Sequence, residues 1–337
     1  MIHLKKEEIF SELDKLSQER QVIIITDTNV YKYYLKDTKY DVIYFESGEN
    51  YKTLDTVNFI YDELILKKAT RNTLLVGFGG GIVTDVTGYV ASTYLRGVEF
   101  IFVSTTLLGM VDAAIGGKNG VNFQCFKNLI GTFSKPKEVY YSVDFLDTLP
   151  EKELHAGFGE ILKYAIGLDE ELFSILEDSN YEDIVTDDSL LEKVIRICIS
   201  IKERIVENDF KESGQRKLLN LGHTIGHAIE KSTRRFVHGE AVGIGLFVIA
   251  YLSAYLNKIE YEQLIRIINL IDKFHFCIPI PEYKEVLKCI KYIELDKKRN
   301  DLENIDLILI NGIGSSEIVN LNKEKIIKDI STIFLIS

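Results

Sequence analysis

The point at which strand-like segments stop is the feature of this 337-residue sequence that most constrains its fold. Up to about residue 150, short runs of β-branched residues alternate with helical patterns, and the predicted strands are residues 22–26, 42–46, 73–77, 100–104 and 139–143. Strands that are apolar along their whole length and separated by helices are typical of a parallel sheet covered on both faces. The sequence therefore predicts an α/β domain over residues 1–150.

After Pro150 the apolar residues recur at helical spacing, as in the series Leu191, Ile195 and Cys198, and only residues 305–310 are predicted as a late strand. The uncharged run 241–257 is shorter than the roughly 20 residues that a membrane-spanning helix needs, so we expect a buried helix there. We therefore predict a second, mostly α-helical domain over residues 151–337. For this layout, an active site is expected in the cleft between the two domains.

Composition narrows the class of protein. With 40 basic and 51 acidic residues the formal net charge is −11, and no block of lysine and arginine occurs, so a nucleic-acid partner is not expected. The four cysteines have no CxxC spacing, which favours a reducing compartment over a disulfide framework. The segment IHLKKEEIF after Met1 lacks the apolar core of a signal peptide, so we expect a cytoplasmic protein without a membrane partner.

The segment LLVGFGGGIVTD, residues 74–85, places glycines between a predicted strand and a predicted helix with Asp85 in its first turn. Glycines allow close approach of the main chain to a ligand, and the N–H groups that open a helix bind phosphate. The segment departs from the GxGxxG fingerprint, because Thr84 takes the third glycine position and no acidic residue follows about 20 positions later. Asp27, directly after the first predicted strand, is an alternative ribose ligand. A pyrophosphate site and a tight turn are equal alternatives for this loop.

Three of the six histidines lie between residues 223 and 238. His223 and His227 are four residues apart in NLGHTIGHAIE and so share a helix face, and His238 follows in VHGE. This pattern favours a zinc site with a further oxygen ligand from elsewhere in the chain. The competing interpretation is that these are ordinary core or surface histidines.

Several charged side chains occupy positions where apolar or small residues are expected. Glu160 and Lys163 are three residues apart among small residues in ELHAGFGEILKYAI, which favours a pocket over a surface ion pair. Lys202 continues an apolar series, Lys118 follows two glycines, and Arg216 precedes His223 by seven residues. Buried lysine is rare unless paired, so together these cations indicate a substrate with several negative charges. Taken singly, Lys202, Lys118 and Arg216 are better explained by side chains whose charged ends reach solvent.

Eight segments of the chain form a recognisable series. They are GENYK (48–52), GGGIVTDVTGYVASTYLRG (79–97), TTLLGMVDAAIGGKNGVN (105–122), KNLIG (127–131), FGEILKY (158–164), LLNLGHTIGHAIE (218–230), HGEAV (238–242) and LDKK (295–298). With these segments, the chain resembles the 3-dehydroquinate synthase family of sugar-phosphate cyclases across essentially its whole length. The resemblance implies a Rossmann-like NAD-binding α/β domain followed by a mostly helical domain that binds a divalent metal, zinc or cobalt.

The resemblance also implies roles for individual residues. The metal ligands would be Glu160, His223 and His238, so His227 would face the substrate instead of the metal. The catalytic residues would be His227, Lys163, Glu212, Lys202 and Asp112. The substrate contacts would be Arg96, Asp112, Lys118, Asn128, Lys163, Lys202, Arg216, Asn220, His227 and Lys297. Arg96 is similar to an arginine that reaches the substrate of a neighbouring subunit, which implies a homodimer.

The same resemblance implies an extended NAD site. Its residues would be Asp27, Asn29, Glu49, Lys52, Gly80, Gly81, Ile82, Val83, Thr84, Asp85, Thr105, Thr106, Lys118, Lys127, Phe145, Leu146, Asp147 and Thr148. Thr84 and Phe126 stand where the family often has glycine. These departures concern the geometry of the cofactor loop, and neither removes a predicted metal ligand.

The activity that the resemblance implies is a step of the shikimate pathway, on the way to the aromatic amino acids. The substrate, 3-deoxy-D-arabino-heptulosonate 7-phosphate (DAHP), would be oxidised transiently by NAD+, lose phosphate by β-elimination, be reduced again, and then undergo ring opening and aldol closure to 3-dehydroquinate. Other sugar-phosphate cyclases and the metal-dependent polyol or glycerol-phosphate dehydrogenases are the alternatives. A non-catalytic remnant is disfavoured, because all three predicted metal ligands are present.

Overall fold

The computed structural model describes residues 1–124, 126–233, 235–279, 282–284, 287–288 and 303–334. The chain forms two compact units, Met1–Leu154 and His155–Ser337. The predicted substrate residue Lys297 lies outside the described residues. The assignment of NAD binding to residues 1–150, and of metal and substrate binding to residues 151–337, stays a prediction.

The first unit is built on a parallel sheet. Its strands are β1 (Ile2–His3), β2 (Val22–Asp27), β3 (Asp41–Phe45), β4 (Leu74–Gly79), β5 (Phe100–Ser104), β6 (Lys118–Phe123), β7 (Phe126–Phe133) and β8 (Val139–Tyr141). Six of them pair in parallel in the order β1-β8-β5-β4-β2-β3. The helices of this unit are α1 (Lys6–Glu19), α2 (Thr28–Val30), α3 (Leu54–Leu66) and α4 (Gly81–Thr93). The predicted α/β domain with a parallel sheet is confirmed.

The strand order creates a switch point between β2 and β4. The chain runs from β2 outward to β3, then returns to form β4 on the other side of β2, where Ile25 pairs with Gly77. Ligands of open α/β sheets bind outside the carboxyl ends of the strands at such a point. The residues at those two ends are Asp27 and the glycines after Phe78.

The antiparallel pair β6–β7 was not predicted, and the last parallel strand ends two residues earlier than the predicted residue 143. In β6 and β7, Gly120 faces Gly131, and polar residues interrupt the apolar pattern that would predict a strand. The last parallel strand ends at Tyr141, because the chain turns into a 3-10 helix over Val143–Thr148. Boundaries of this kind depend on turn geometry that apolar spacing does not encode.

The chain after Pro150 is mostly helical, as predicted. Its helices are α5 (Glu151–Leu168), α6 (Glu170–Asp178), α7 (Tyr181–Thr186), α8 (Asp188–Asn208), α9 (His223–Thr233), α10 (His238–Tyr255), α11 (Tyr261–Lys273) and α12 (Lys323–Ile333). The predicted late strand is present as β9 (Asn304–Gly312), and it pairs antiparallel with β10 (Ser315–Asn322). The expectation of a single late strand was wrong, because the polar sequence SSEIVNLN hides β10.

Helix α10 forms the centre of the second unit. By length and composition it could cross a membrane, but 72% of it is buried inside the structure. The predicted buried helix is therefore confirmed, and it begins at His238, one of the predicted metal ligands.

Candidate active site

Glycines allow α10 to pack against its neighbours at very short range. A Cβ atom on Gly159 of α5 would lie 2.8 Å from the carbonyl carbon of Gly239 in α10, and one on Gly245 would lie 3.0 Å from that of Gly222, the residue before α9. Only glycine permits main chains to approach so closely. The residues that directly follow or precede these glycines include Glu160, His223 and His238. The helix crossings therefore bring the three side chains to one point.

The geometry of this group fits a tetrahedral metal ion. The Oε1 atom of Glu160 lies 3.3 Å from Nε2 of His223 and 3.2 Å from Nε2 of His238. Ligand atoms about 2.0–2.1 Å from a tetrahedral zinc ion are about 3.3 Å apart, and two histidines with a glutamate are a known ligand set for catalytic zinc. One ligand atom from each residue lies within 4.8 Å of the others. The three predicted ligands thus lie together, and a tetrahedral metal ion bound by them would keep its fourth position for a substrate oxygen.

The carboxylate of Glu160 is fully buried, and within the described part of the chain neither of its oxygens makes a hydrogen bond of good geometry. Instead, Nζ of Lys163 and the two imidazoles surround it at ion-pair distance. A buried carboxylate without hydrogen bonds is costly unless a cation compensates it. This is a second observation that fits a metal ion at Glu160.

Charge in the group is tightly linked. Burial would raise the pKa of Glu160, but Lys163 and His223 outweigh that effect, so the pKa of this carboxyl lies well below its ordinary value. Burial lowers the pKa of His238, yet the neighbouring carboxylates of Glu160 and Glu230 overcome this and raise it to about 10. A metal ion would have to displace the proton of His238, because only the neutral imidazole is a ligand.

His227 lies next to the predicted ligands. Its ring centroid is 5.4 Å from that of His223 and 6.0 Å from that of His238. The side chain is half-buried, in contrast to the fully buried Glu160. The shared helix face predicted for the two histidines is therefore present, and it places His227 at the edge of the ligand group.

Three predicted substrate cations are buried in the second unit. Lys163 is 1% exposed, Arg216 is 3% exposed, and Lys202, on the apolar side of α8, is 6% exposed. The interpretation of Lys202 and Arg216 as side chains whose charged ends reach solvent is therefore wrong. Buried cations of this kind bind anions strongly, because little water competes.

Asp209 organises the loop that carries Arg216. Its Oδ1 accepts hydrogen bonds from the main-chain N and from Oγ of Ser213 at 2.8 and 3.1 Å, and its Oδ2 accepts from the N–H groups of Gly214 and Arg216 at 2.7 and 3.0 Å. The guanidinium of Arg216 in turn donates to the carbonyl of Phe210 at 2.5 Å. One carboxylate therefore fixes the main chain at Arg216.

Glu212 and Asn220, both predicted site residues, are joined in the same loop. Nδ2 of Asn220 donates to Oε1 of Glu212 at 2.7 Å. Glu212 has a φ of +59°, in the left-handed region that a glutamate rarely adopts. A strained residue held by a specific hydrogen bond is typical of a functional loop.

In the first unit, the glycine loop connects β4 to α4 at the switch point. A Cβ on Gly80 would lie 2.8 Å from Cγ2 of Thr106, and α4 begins at Gly81 with no side-chain cap. The N–H groups of its first turn are therefore available for a phosphate. Asp85 is the fifth residue of α4, so its predicted place in the first turn was wrong.

Further predicted NAD residues lie around this loop. Lys52, which is 5% exposed, forms an ion pair with Asp85. Asp27 caps α2 by accepting from the N–H groups of Asn29 and Val30, and burial raises its pKa. Thr105 donates its N–H to the carbonyl of Gly79 at 3.1 Å, next to the loop.

The remaining predicted cofactor residues are more spread out in the first unit. Oε1 of Glu49 accepts from Nδ2 of Asn122 at 2.8 Å. The 3-10 helix that contains Phe145, Leu146, Asp147 and Thr148 contacts Tyr34, whose hydroxyl lies 2.5 Å from Oγ1 of Thr148. The residues Ile82, Val83 and Thr84 lie in the first turn of α4, and Lys127 is exposed in β7.

The predicted substrate residues of the first unit lie at turns and strand ends. Asp112 is half-buried in the π-helical turn Gly109–Ala113, and Lys118 is exposed at the start of β6. The N–H of Asn128 donates to Oδ1 of Asn122 at 2.9 Å. Arg96 is exposed in the turn after α4, with a φ of +67°.

Two residues of the second unit were not predicted as site residues, namely Asp209, which holds the main chain at Arg216, and Glu230, which contacts His238. A signal was present for Asp209, since aspartate, serine and glycine are typical turn residues and Asp209 is followed by Ser213 and Gly214. For Glu230 the signal was its position three residues after His227 on the same helix face.

The sequence matches known proteins over most of its length. The 3-dehydroquinate synthase N-terminal model matches residues 42–156, and the 3-dehydroquinate synthase C-terminal model matches residues 157–299. A 3-dehydroquinate synthase from Clostridium tetani is 38% identical over 328 residues, which cover 94% of this chain and 86% of that protein.

Solved structures of related cyclases have the same fold. A 2-deoxy-scyllo-inosose synthase complexed with carbaglucose-6-phosphate, NAD+ and Co2+ superposes with a TM-score of 0.85 at 27% identity and covers 97% of this chain and 95% of its own. A 2-epi-5-epi-valiolone synthase from Streptomyces hygroscopicus with NAD+ and Zn2+ bound has a TM-score of 0.82 at 25% identity, with coverages of 98% and 95%. Family models over both units and a relative of this identity agree, and the chain belongs to the 3-dehydroquinate synthase family.

Proposed function

We propose that the chain converts DAHP to 3-dehydroquinate and phosphate, with NAD and a divalent metal as cofactors. The observation that carries this proposal is the convergence of Glu160, His223 and His238 beside Lys163, in a member of the 3-dehydroquinate synthase family. Zinc and cobalt both suit two imidazoles and a carboxylate. The metal-bound and NAD-bound structures of related cyclases support both cofactors.

The overall reaction is redox-neutral. The hydride that leaves C5 of the substrate returns to it within the same turnover, and the only group released is phosphate. Bound at Glu160, His223 and His238, a metal ion supplies Lewis-acid polarisation of a substrate hydroxyl. The chain itself has to hold a highly charged substrate and to handle protons.

The buried cations are suited to the first task. DAHP has a carboxylate and a phosphate, about three negative charges at neutral pH. We assign Lys163, Lys202 and Arg216 to these charges, since all three are buried in the second unit. Asn220, fixed by Glu212, would hydrogen-bond a neutral part of the same substrate. For the first unit, substrate contacts by Asp112, Lys118 and Asn128 stay predictions from the family resemblance.

Proton handling is proposed for His227 and Glu212. His227 lies beside the ligand imidazoles but is half-buried, so it can exchange a proton with a bound substrate. The departing phosphate can itself accept the proton that β-elimination releases. No further carboxylate base is then required.

The NAD site is proposed at the switch point of the parallel sheet. The first turn of α4 would bind the pyrophosphate through main-chain N–H groups, and Asp27, at the end of β2, would bind a ribose. Lys52 and Asp85 would complete the site as an ion pair next to the loop. We further propose a cytoplasmic homodimer in which Arg96 reaches the substrate of the partner subunit.

Phosphate release from DAHP by the purified protein tests the function. The reaction is run with NAD+ before and after treatment with EDTA, while NADH absorbance is followed in the same cuvette. We expect release that requires the metal and catalytic amounts of NAD+, without net NADH, and 3-dehydroquinate as the product.

Two outcomes would contradict the proposal in different ways. Stoichiometric NADH would indicate a dehydrogenase of the polyol or glycerol-phosphate type instead of a cyclase. No phosphate release from metal-loaded protein would exclude DAHP and direct attention to the substrates of other sugar-phosphate cyclases, sedoheptulose 7-phosphate and glucose 6-phosphate.

A further inference from the structure

Both imidazoles that face Glu160 are held at their other nitrogen. Nδ1 of His223 lies 3.1 Å from the carbonyl oxygen of Leu221, and Nδ1 of His238 lies 3.4 Å from Oε2 of Glu230. In both rings it is Nε2 that points to Oε1 of Glu160. The two ligands therefore share one arrangement, built with a main-chain acceptor in one case and a side-chain carboxylate in the other.

This arrangement determines which nitrogen can bind a metal. A neutral imidazole has one N–H and one lone pair, and carbonyl and carboxylate oxygens only accept hydrogen bonds. An acceptor at Nδ1 therefore keeps the proton there and leaves the lone pair on Nε2. For His223 no side-chain substitution removes the acceptor. For His238 the acceptor belongs to Glu230, so the chain offers a direct test.

We propose that Glu230 is a positioning residue, which orients the ring of His238 and fixes its proton on Nδ1 so that Nε2 binds the metal. This inference rests on the metal site proposed above. Glu230 is well placed for the role, because it lies on α9 beyond both His223 and His227 and its side chain is only 8% exposed. Its negative charge also increases the basicity of the ligand imidazole.

A second cation site is the competing explanation. One atom each from His227, Glu230 and His238 also lie within 4.8 Å of one another. However, Nε2 of His238 already faces Glu160, where the proposed metal would bind, and a second ion at Nδ1 would require the ring to lose both protons. A hydrogen bond from Nδ1 to Glu230 satisfies the same geometry without that cost, so the observations favour positioning.

The test compares cobalt binding by metal-free wild-type protein and three variants. Glu230→Ala removes the acceptor, and Glu230→Gln keeps an acceptor oxygen but loses the charge. Glu240→Gln is the matched control, because it removes the same charge at a position near His238. The glutamine amide oxygen can still accept the hydrogen bond from the N–H of Val237 that the carboxylate of Glu240 accepts. Affinity is measured by competition with a chelator, stoichiometry by metal analysis, and coordination by the absorption spectrum of bound Co2+.

We expect one Co2+ per chain in the wild type, an affinity about 10- to 100-fold lower in Glu230→Ala, and a smaller loss in Glu230→Gln. The control should bind like the wild type, and melting temperatures of the metal-free proteins check folding. If Glu230→Ala fails to fold, Glu230→Gln decides the test. We then expect a partial loss of Co2+ affinity and an altered spectrum of the bound Co2+ in Glu230→Gln.

Three results would overturn the inference. Equal affinity and identical cobalt spectra in the wild type and both Glu230 variants would show that Glu230 does not act on His238. Two ions in the wild type, of which Glu230→Ala loses one, would assign Glu230 to a second site. No stoichiometric binding by the wild type would instead overturn the proposed metal site, and the inference with it.

Discussion

The glycine loop of the first unit and the ligand group of the second unit are built in opposite ways. In the loop, the functional groups are main-chain N–H groups, and the side chains matter mainly by being small, as at Gly80 beside Thr106. In the ligand group, glycines serve only to bring helices together, and buried ionisable side chains such as Glu160 and Lys163 are the functional groups.

This difference determines which substitutions each region tolerates. A substitution in the loop acts through steric contact and leaves charge unchanged. A substitution in the ligand group acts through charge in a buried environment, where an unpaired ion is much more costly than at the surface. Changes in the two regions should therefore affect different cofactors and be separable in experiments.

The largest effect is expected when a ligand is neutralised. Glu160→Gln keeps the shape of the side chain but removes the charge that balances Lys163 and the two histidines. We expect loss of the bound metal and a fall in phosphate release of about 100-fold or more, since the metal contributes several kcal/mol to the reaction. NAD+ affinity, measured by calorimetry, should not change.

Glu177→Gln is the control, because the carboxylate of Glu177 forms a surface ion pair with Arg266. A Glu160→Gln protein with full metal content and full activity would show that this carboxylate is not a ligand. A parallel loss of NAD+ affinity would show that the two regions are not separable.

The next largest effect is expected in the loop. In Gly80→Ala the new methyl group would meet Cγ2 of Thr106 at 2.8 Å, so the main chain has to shift where the pyrophosphate would bind. We expect NAD+ affinity to fall about 10-fold, on the scale of a 1–3 kcal/mol steric cost, with metal content unchanged.

A second substitution sharpens this test. Thr106→Ser removes the atom nearest to the new methyl group but keeps the hydroxyl, so the double variant should recover part of the affinity. If Gly80→Ala binds NAD+ like the wild type, or if Thr106→Ser gives no recovery, the proposed main-chain site at this loop is wrong.

A smaller effect is expected at Asp209, which acts on Arg216 through the main chain. In Asp209→Asn, an amide NH2 replaces the oxygen that accepts from Gly214 and Arg216. We expect KM for DAHP to rise about 10-fold, as for loss of one or two hydrogen bonds to a charged group, with metal content unchanged. Glu207→Gln, on an exposed turn of α8, is the control.

The effect of Asp209→Asn on KM should not depend on pH. Burial raises the pKa of Asp209, but hydrogen bonds from main-chain N–H groups outweigh this and hold it at about 2. Asp209 is thus ionised wherever the protein is active, and the ratio of KM values should not vary between pH 6 and pH 9. A ratio that changes with pH would point to another group.

The smallest effect is expected at a surface charge of the first unit. Hydrogen bonds from Arg20 and Lys137 hold the pKa of Glu99 at about 2, below its ordinary value of 4.5. Because the folded-state pKa is lowered, the ionised carboxylate stabilises the folded protein above pH 4.5, and this contribution is lost as the pH falls toward 2.

Glu99→Gln should therefore lower the free energy of unfolding by less than about 1 kcal/mol at pH 7, because exposed ion pairs contribute little. The difference from the wild type should shrink between pH 4.5 and the most acidic pH at which the protein stays folded. Thermal melting of both proteins as a function of pH measures this difference. If Glu99→Gln were destabilised as strongly as a protein with an unpaired buried charge, the contrast between the two units would be lost.

Much of the fold could be predicted from the sequence, because apolar spacing is a local property. The runs that became β2, β4 and β5 are buried on both faces of the sheet, and the uncharged run in α10 is buried as expected. The polar strands β6, β7 and β10 could not be predicted, because polar residues interrupt the apolar spacing, although each strand pairs with its neighbour in the chain.

For the site, the sequence by itself grouped His223, His227 and His238 as a candidate metal site, and the family resemblance replaced His227 by Glu160 among the ligands. Only the tertiary structure decided which atoms meet. Glu160 and His223 are far apart in the chain, and close helix crossings at glycines bring Oε1 of Glu160 within 3.3 Å of both imidazoles. Glu230 became visible in the same way, because helical periodicity sets the face on which a side chain lies, whereas the crossing of helices sets what that face meets.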